Sequence, residues 1–564
     1  MAEFNKLYTE KGEKLSTTPW ETYPRPQLKR DSYFCLNGEW DFGVSGKESA
    51  EFNKKIIVPF CPESLLSGID DVYEEDKTLW YKKVFTLPCG FNKGRVLLNF
   101  GAVDQKCVVF LNGDKIGEHI GGYNSFSFDI TNYLQEENTL ILSVNDTLSD
   151  KILPYGKQCR NRGGMWYTPV SGIWQSVWLE SVAENYIKGI KIDVTLNTAT
   201  ILFDGINDGT VNLGNTSFPI INGKAYVEIE HPVNWTPENP YLYEFTAIAG
   251  EDKIESYFAL RTLSIGTVDG INRLLLNGKP YFFHGLLDQG YFSDGIYTPA
   301  HSSEYTDDIL KMKSLGFNML RKHIKVEPEC FYYDCDRLGM VVFQDMVNNS
   351  EYSFIRDTAL PTIGLLRRND KNIHKNKETR KAFIQGMEET VNQLYNHPCI
   401  CQWTIFNEGW GQFCADEMYN RLKELDSSRF IDSASGWFTA KNNDFDSRHI
   451  YFRKLKIKKG NKPVFISEFG GYSYKIDGHA FNTENTYGYG KCKDRDDFVK
   501  ALRKLYTDEV LPLIDKGLCA TVYTQVSDVE DETNGLLTYD RKVLKVDSNK
   551  LKLLSKEIYN TFNS

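Results

Sequence analysis

Apolar and polar positions alternate in short runs through the first third of the chain. "RVLLNFGAVDQKCVVFLNGDKIGEH" holds two alternating runs, with the hairpin-like "LNGDK" near its end, and "NTLILSVND" and "GIWQSVWLESV" follow in the same style. Long helical periodicity is absent there, which predicts a jelly-roll β-sandwich over residues 1–183. Further short strands, "KIDVTL", "KAYVEIE" and "YEFTAIA", predict a small immunoglobulin-like β-sandwich over 184–263.

From about Ser264 the period changes. Apolar runs of strand length ("YFFHGLL", "FNMLR", "MVVFQDM", "CICQWTIF", "RFIDSAS", "RHIYF", "KPVFISE", "CATVYTQ") alternate with amphipathic helical patterns. The latter include "SEYTDDILKMKSLG", "PECFYYDCDRLG", "KAFIQGMEETVNQLYNH" and "DDFVKALRKLYTDEVLPLIDKG". Eight strands in roughly 300 residues predict a (β/α)8 TIM barrel over 264–564, with its site at the C-terminal strand ends.

Composition adds exclusions. With 41% hydrophobic and 25% charged residues the chain is ordinary globular protein, and a net charge of -10 argues against nucleic acid as a partner. The short basic run "RKLKIKK" (453–459) reads as a solvated face. The polar N-terminus and the lack of a long apolar window predict no membrane partner and a cytoplasmic location. The 12 cysteines, none in a CxxC pair, read as reduced thiols, and neither metal nor cofactor is expected.

Two carboxylates stand out against the barrel pattern. Glu408 follows the fourth strand, in "CQWTIFNEGWGQF", and Glu468 ends the seventh, in "KPVFISEFGGY". One glutamate at a strand end more often caps the strand or pairs with a cation. Strands four and seven, however, face each other across a barrel mouth, and two such residues there suit retaining glycoside hydrolysis. In that chemistry carboxyl groups about 5 Å apart act as nucleophile and as acid/base.

These segments also carry a family resemblance. "YTPVSGIWQSVWLE", "NWTPENPYLYEF", "LLNGKPYFFHG", "DILKMKSLGFNMLRKH", "FYYDCDRLGMVVFQDM", "NHPCICQWTIFNEGWG" and "KPVFISEFGG", in this order and spacing, resemble glycoside hydrolase family 2. This is the β-galactosidase, β-glucuronidase and β-mannosidase family. The resemblance implies that Glu408 is the acid/base, Glu468 the nucleophile and Asn407 the partner of the sugar 2-hydroxyl. Tyr451 resembles the family tyrosine that contacts the nucleophile. Arg321 matches a family arginine suited to keeping Glu468 ionised, while Glu408 is expected to start protonated.

Around the mouth, Asp288, His323, Asp345, Trp437, His449 and Tyr523 are the expected further sugar contacts, with Trp410 and Gln412 on the leaving-group side. The sugar itself is open. The Asn-x-Lys motif of the family's β-glucuronidases is replaced by Asn534-Gly535-Leu536, which leaves Lys322, Lys325 or Arg448 as candidates for a uronate. The galactosidase Arg-x-x-His reads Arg321-Lys322-His323-Ile324 here, with the histidine displaced by one place.

The expected function is therefore an exo-acting retaining β-glycosidase trimming oligosaccharides or small β-glycosides. The first choice is a β-galactosidase, on family base rate. A β-hexuronidase or β-mannosidase is the alternative, and a non-catalytic carbohydrate-binding protein is the rival from another class. Homo-oligomers are common in the family it resembles, but the sequence does not set the oligomeric state.

Overall fold

The structure, a computed structural model, describes residues 4–46, 51–362, 365, 370–457 and 460–564. The first sandwich packs two antiparallel sheets. One runs in the order Lys54–Val58, Gly38–Ser45, Thr78–Phe85, Asn138–Asn145, Lys106–Leu111, Asp114–Ile120. The other runs Tyr33–Cys35, Val177–Val182, Arg95–Phe100, Phe126–Asp129. Alternation sets the faces: every second residue of Asn138–Asn145 is buried. The hairpin turn sits at Asn112 and Gly113, both with positive φ (54° and 93°), as a two-residue turn between twisted strands requires.

The second sandwich has a three-stranded sheet (Gly189–Val194, Thr198–Asp204, Lys224–Glu228). A four-stranded sheet faces it (Gly209–Leu213, Thr216–Ile220, Tyr243–Ala249, Asp252–Phe258). The two sandwiches meet over a buried ion cluster. Arg30 donates to both Asp252 oxygens (3.0 and 2.9 Å) and to Glu180 (3.2 Å), and Arg25 donates to Glu180 (2.7 Å). Glu180 is fully buried, and these two guanidiniums outweigh burial to hold its carboxyl below the usual range.

The chain does not enter the barrel at once. A hairpin, Leu263–Val268 and Ile271–Leu276 with Lys279–Pro280, comes first. Its Arg273 donates to the carbonyls of Ile514 and Leu518, beneath the last barrel strand. The barrel strands are then β1 (Phe283–Asp288), β2 (Met319–Lys322), β3 (Val341–Asp345), β4 (Ile400–Thr404), β5 (Phe430–Asp432), β6 (Asp446–Ile450), β7 (Val464–Gly470) and β8 (Leu518–Thr524). All pairings are parallel, in the order β5-β4-β3-β2-β1-β8-β7-β6.

The eight expected strands are all present. The helices Ser303–Ser314, Glu329–Leu338, Lys377–Leu394 and Arg495–Leu505 lie where their periodicity placed them, joined by Ala415–Leu425 and Ser548–Asn563. Among the described residues no helix separates β5 from β6, and no ladder joins them. The seam is instead sewn by side chains: Asn443 donates to Asp432 (2.9 Å), and Asp444 bonds on both sides. Its N–H donates to the Ile431 carbonyl (3.1 Å), and its carboxylate accepts from Ile431 N–H (2.8 Å) and from Tyr419 (2.7 Å).

Phenylalanines from alternate strands fill the barrel: Phe283 (β1), Phe343 (β3), Phe430 (β5) and Phe465 (β7). Phe343 lies 5.3 Å from Phe283 and 5.4 Å from Phe465, ring centre to ring centre. Of the basic run, Arg453, Lys454 and Lys456 are exposed while Leu455 and Ile457 are buried; Lys458 and Lys459 lie outside the described residues. All 12 cysteines are free thiols, and among the described residues no helix is long and apolar enough to cross a membrane.

Candidate active site

The fourth strand runs out at Thr404 and the backbone then turns sharply. Glu408 takes a left-handed conformation (φ 51°), an unusual one for a residue with a Cβ, and is followed by Gly409 (φ 75°) and Gly411 (φ 65°). Neither glycine is replaceable without movement. A Cβ on Gly409 would lie 2.6 Å from the Phe438 ring, and one on Gly411 would lie 2.6 Å from the Asn349 carbonyl. The turn is pinned to the end of β5 by Glu408 N–H donating to the Ser435 carbonyl (3.0 Å). This places the Glu408 carboxyl over the barrel axis.

Glu468 comes from β7 on the opposite side. One carboxylate oxygen of each glutamate and one ring nitrogen of His449 lie within 4.8 Å of one another. His449 Nδ1 is 2.8 Å from Glu408 Oε1 and 3.5 Å from Glu468 Oε2. The other ring nitrogen, Nε2, faces the Arg321 guanidinium (3.2 Å) and the Ser435 hydroxyl (2.9 Å). A guanidinium only donates, so Nε2 accepts and the proton sits on Nδ1, pointing at the carboxylates. Burial pushes the His449 pKa down to about 4, so this bridge is neutral at pH 7. Glu408 Oε1 is thereby occupied, and Oε2 is left to carry a proton.

The two carboxyls have different surroundings. Burial pushes the Glu408 pKa up to about 7, against the nearby positive charges of Lys157 and Arg321. Burial also raises Glu468, and the Glu408 charge adds to this. His449, Arg321 and the Tyr451 hydroxyl oppose it. On balance burial wins and the Glu468 carboxyl is held above its usual range, against the sequence-based expectation of a simply ionised group. Arg321 Nη1 lies 3.1 Å from its Oε1 and the Tyr451 hydroxyl donates to its Oε2 at 2.7 Å, whereas Glu408 holds no cation by a direct bond. Direct cation and hydroxyl contacts therefore fall on Glu468 and not on Glu408.

Arg321, at the end of β2, organises the floor. It is fully buried and bonds Asp345 (3.0 Å), Glu468, the Ser467 carbonyl (3.0 Å) and Asn407 Oδ1 (2.9 Å). Because Arg321 takes Oδ1, the Asn407 amide nitrogen remains a free donor for a ligand. Tyr451 is in turn held by Thr524 (2.9 Å) and stacked on Tyr489 at 3.8 Å. Trp437 is half-buried at the mouth with its ring 6.2 Å from that of His449.

Two expected sugar contacts, Tyr523 and Asp345, are placed otherwise, while Asp288 stays partly exposed at the end of β1. Tyr523 is fully buried on the outer side of β8, against Phe469 and Tyr506. Strand alternation turns the next residue, Thr524, inward instead. Asp345 spends both oxygens on Arg321 and His323 (2.8 Å), so it supports the site from beneath. Asp288 is bonded to Lys322 (2.6 Å) and Gly290 N–H (2.9 Å), and no bond links its carboxylate to Glu408 or Glu468. His323 sits beside Asp345, with burial pushing its pKa down to about 3.

The three cations considered for a uronate are also committed. Lys322 and Lys325 both bond Glu327 (2.9 Å each), and Arg448 pairs with Asp446 (2.7 Å). In the segment replacing Asn-x-Lys, Asn534 accepts from Gln525 (2.8 Å) and Leu536 is buried.

Sequence reasoning missed the roof. Residues 151–171 leave the first sandwich and cross the mouth. Tyr155 N–H donates to the Asn348 carbonyl (3.0 Å), Thr168 N–H to Glu530 (2.8 Å), and the Tyr167 hydroxyl to Glu532 (2.9 Å). This brings Trp166 onto Trp410 as a stacked pair at 5.2 Å, with Tyr352 edge-on to Trp166 at 5.0 Å. The "KQCRNRGGMWY" stretch has aromatic and basic residues without strand alternation, the one signal in the sequence that it is a loop with a use.

Two family models match the chain: "Glycosyl hydrolases family 2, sugar binding domain" over residues 62–182 and "Glycosyl hydrolases family 2, TIM barrel domain" over residues 268–476. A β-galactosidase of Thermoanaerobacter pseudethanolicus is 26% identical over 438 residues, 70% of this chain and 54% of the relative. A β-glucuronidase of Bacteroides fragilis is 24% identical over 482 residues, 78% of this chain and 66% of the relative. The chain thus spans between about half and two thirds of these relatives' lengths.

Among solved structures, a β-glucuronidase from an uncultured Clostridium sp. superposes with a TM-score of 0.73 at 19% identity, covering 95% of this chain and 99% of that one. A β-galacturonidase from Eisenbergiella tayi gives 0.69 at 20% identity, covering 95% and 98%. At these identities the likeness is one of fold.

Proposed function

Because this chain belongs to glycoside hydrolase family 2, we propose that it is a retaining exo-β-glycosidase that removes a terminal β-linked sugar by double displacement. The observation that carries this reading is the Glu408–His449–Glu468 cluster, whose donor atoms lie within 4.8 Å. Retaining enzymes hold their carboxyls about 5–5.5 Å apart, whereas inverting ones need about 6.5–9.5 Å to admit a water between them.

Glu468 Oε2, aligned by Tyr451, attacks the anomeric carbon. The proton on Glu408 Oε2 passes to the leaving oxygen, and the same carboxylate then takes a proton from the incoming water. The Asn407 amide donates to the 2-hydroxyl. A protein that only binds sugar has no need of two facing carboxyls, one held by a guanidinium and a tyrosine hydroxyl and the other by a neutral histidine, which sets the binding-only reading behind.

The first-choice sugar, galactose, rests on family base rate and on a relative named β-galactosidase. A hexuronide is supported at least as well, since relatives and fold neighbours include β-glucuronidases and a β-galacturonidase. A β-mannoside has no support from these names.

The test is turnover of a panel of aryl β-glycosides by the wild type and by Glu408→Gln. We expect at least one sugar to be cleaved. The variant should lose about 100-fold or more on a phenol of high pKa and far less on dinitrophenol, because only the former needs the proton. No turnover of any sugar, or equal losses on both leaving groups, would overturn the assignment.

A further inference from the structure

Four lysines are buried among the described residues: Lys157, Lys322, Lys325 and Lys545. Three of them bond carboxylates: Lys322 and Lys325 hold Glu327, and Lys545 holds Asp528 at 2.7 Å. Lys157, only 7% exposed, has neither hydrogen bond nor ion pair on its ammonium among the described residues, where the Tyr167 and Trp410 rings are its neighbours. Its stem is buried while the ammonium tip is not closed off, so the charge stays open to an anion entering the mouth.

The roof holds this lysine in place from both sides. Its own carbonyl accepts from Tyr167 N–H (3.0 Å), and the preceding Tyr155 and Gly156 N–H groups both reach the Asn348 carbonyl. The ammonium lies 5.4 Å from the Tyr167 ring centre and 5.9 Å from that of Trp410. A second donor there is also idle: the Trp410 indole N–H is buried and has no acceptor. Trp410 is two residues past Glu408. An ammonium and an indole N–H, both lacking acceptors beside the acid/base, call for a group with two anionic oxygens.

We propose that Lys157, reaching into the barrel mouth from the first sandwich, binds a carboxylate carried by the glycoside and so sets a preference for acidic substrates. This rests on the glycosidase reading above and gives it a substrate class. It also explains how a site without a cation in the Asn534-Gly535-Leu536 segment could still take a uronate. The carboxylate belongs either to the terminal sugar, as in a β-hexuronide, or to the leaving group.

Kinetics of wild type, Lys157→Gln and Lys157→Arg on paired substrates separate these. One pair is p-nitrophenyl β-glucuronide or β-galacturonide against the matching glucoside or galactoside. The other is 4-carboxyphenyl against 4-carbamoylphenyl β-galactoside. We expect the ratio of kcat/KM, acidic over neutral, to fall about 10- to 100-fold in Lys157→Gln for one pair, as for a lost hydrogen bond to a charged group, with partial recovery in Lys157→Arg. The pair that responds identifies which part of the substrate carries the anion.

An independent readout on the wild type guards against misfolded variants: hexuronic acids should inhibit more tightly than the corresponding hexoses, or benzoates more tightly than benzamides. A wild type that cleaves neutral glycosides without either preference, or a variant with unchanged ratios in both pairs, overturns the role of Lys157 while leaving the glycosidase intact. A wild type that cleaves nothing overturns the glycosidase reading itself.

Discussion

Glu408 stands at a left-handed turn, buried, with one oxygen on a neutral histidine. Its pKa of about 7 fixes the direction of the pH response: the acid works only while protonated. The expected outcome is a kcat/KM that is lost as pH rises through about 7 on substrates with poor leaving groups. That limb should vanish in a pH–rate profile of Glu408→Gln. The same residue also costs stability as pH rises. The folded state keeps a proton that an unfolded glutamate, at 4.5, has already released, so its contribution declines between 4.5 and about 7.

Both carboxylates were legible in the sequence because each ends a largely apolar run, where a charge is conspicuous. Tyr523 was misplaced for the complementary reason. Leu518–Thr524 is buried along its whole length, so no polar alternation tells the inner face from the outer. Asp345 was found, but sequence could not reveal that Arg321 and His323 consume it.

At the level of elements, the strand and helix periods predicted the barrel well, since a parallel strand and an amphipathic helix differ plainly in period. They gave no hint that β5 and β6 are left unpaired, because a seam closed by a few side chains such as Asp444 and Asn443 leaves no periodic trace. Together with Asn443, which bonds Asp432 (2.9 Å), Asp444 carries part of that seam. Removing it in Asp444→Ala frees two donors, Ile431 N–H and the Tyr419 hydroxyl, and should cost about 1–3 kcal/mol in chemical denaturation. His449 hangs from β6 and Ser435 follows β5, so the loosened seam should also lower kcat more than it raises KM. An unchanged kcat would mean that the His449 bridge is held without it.

For the molecule as a whole, the sandwiches are more than props for the barrel. Arg25, Arg30, Asp252 and Glu180 form the buried junction between them. Glu180→Ala leaves two guanidiniums without their shared partner, and calorimetry should show a loss of about 3–5 kcal/mol, the range for breaking a buried pair from one side. A loss below 1 kcal/mol would mean that water replaces the carboxylate there. The roof loop was invisible to sequence reasoning because its residues lie about 240 to 310 positions from the glutamates they cover, and long-range contact leaves no local pattern.

That loop orders events in time as well as in space. The chain emerges from the ribosome with Lys157 and Trp166 well ahead of Glu408 and Glu468, so the lid is made before the vessel. A folded barrel without its docked first domain would hold the nucleophile and the acid but lack the surface that selects the substrate. Selectivity on this reading needs two separately built parts of the chain, so it depends on their docking as well as on each fold.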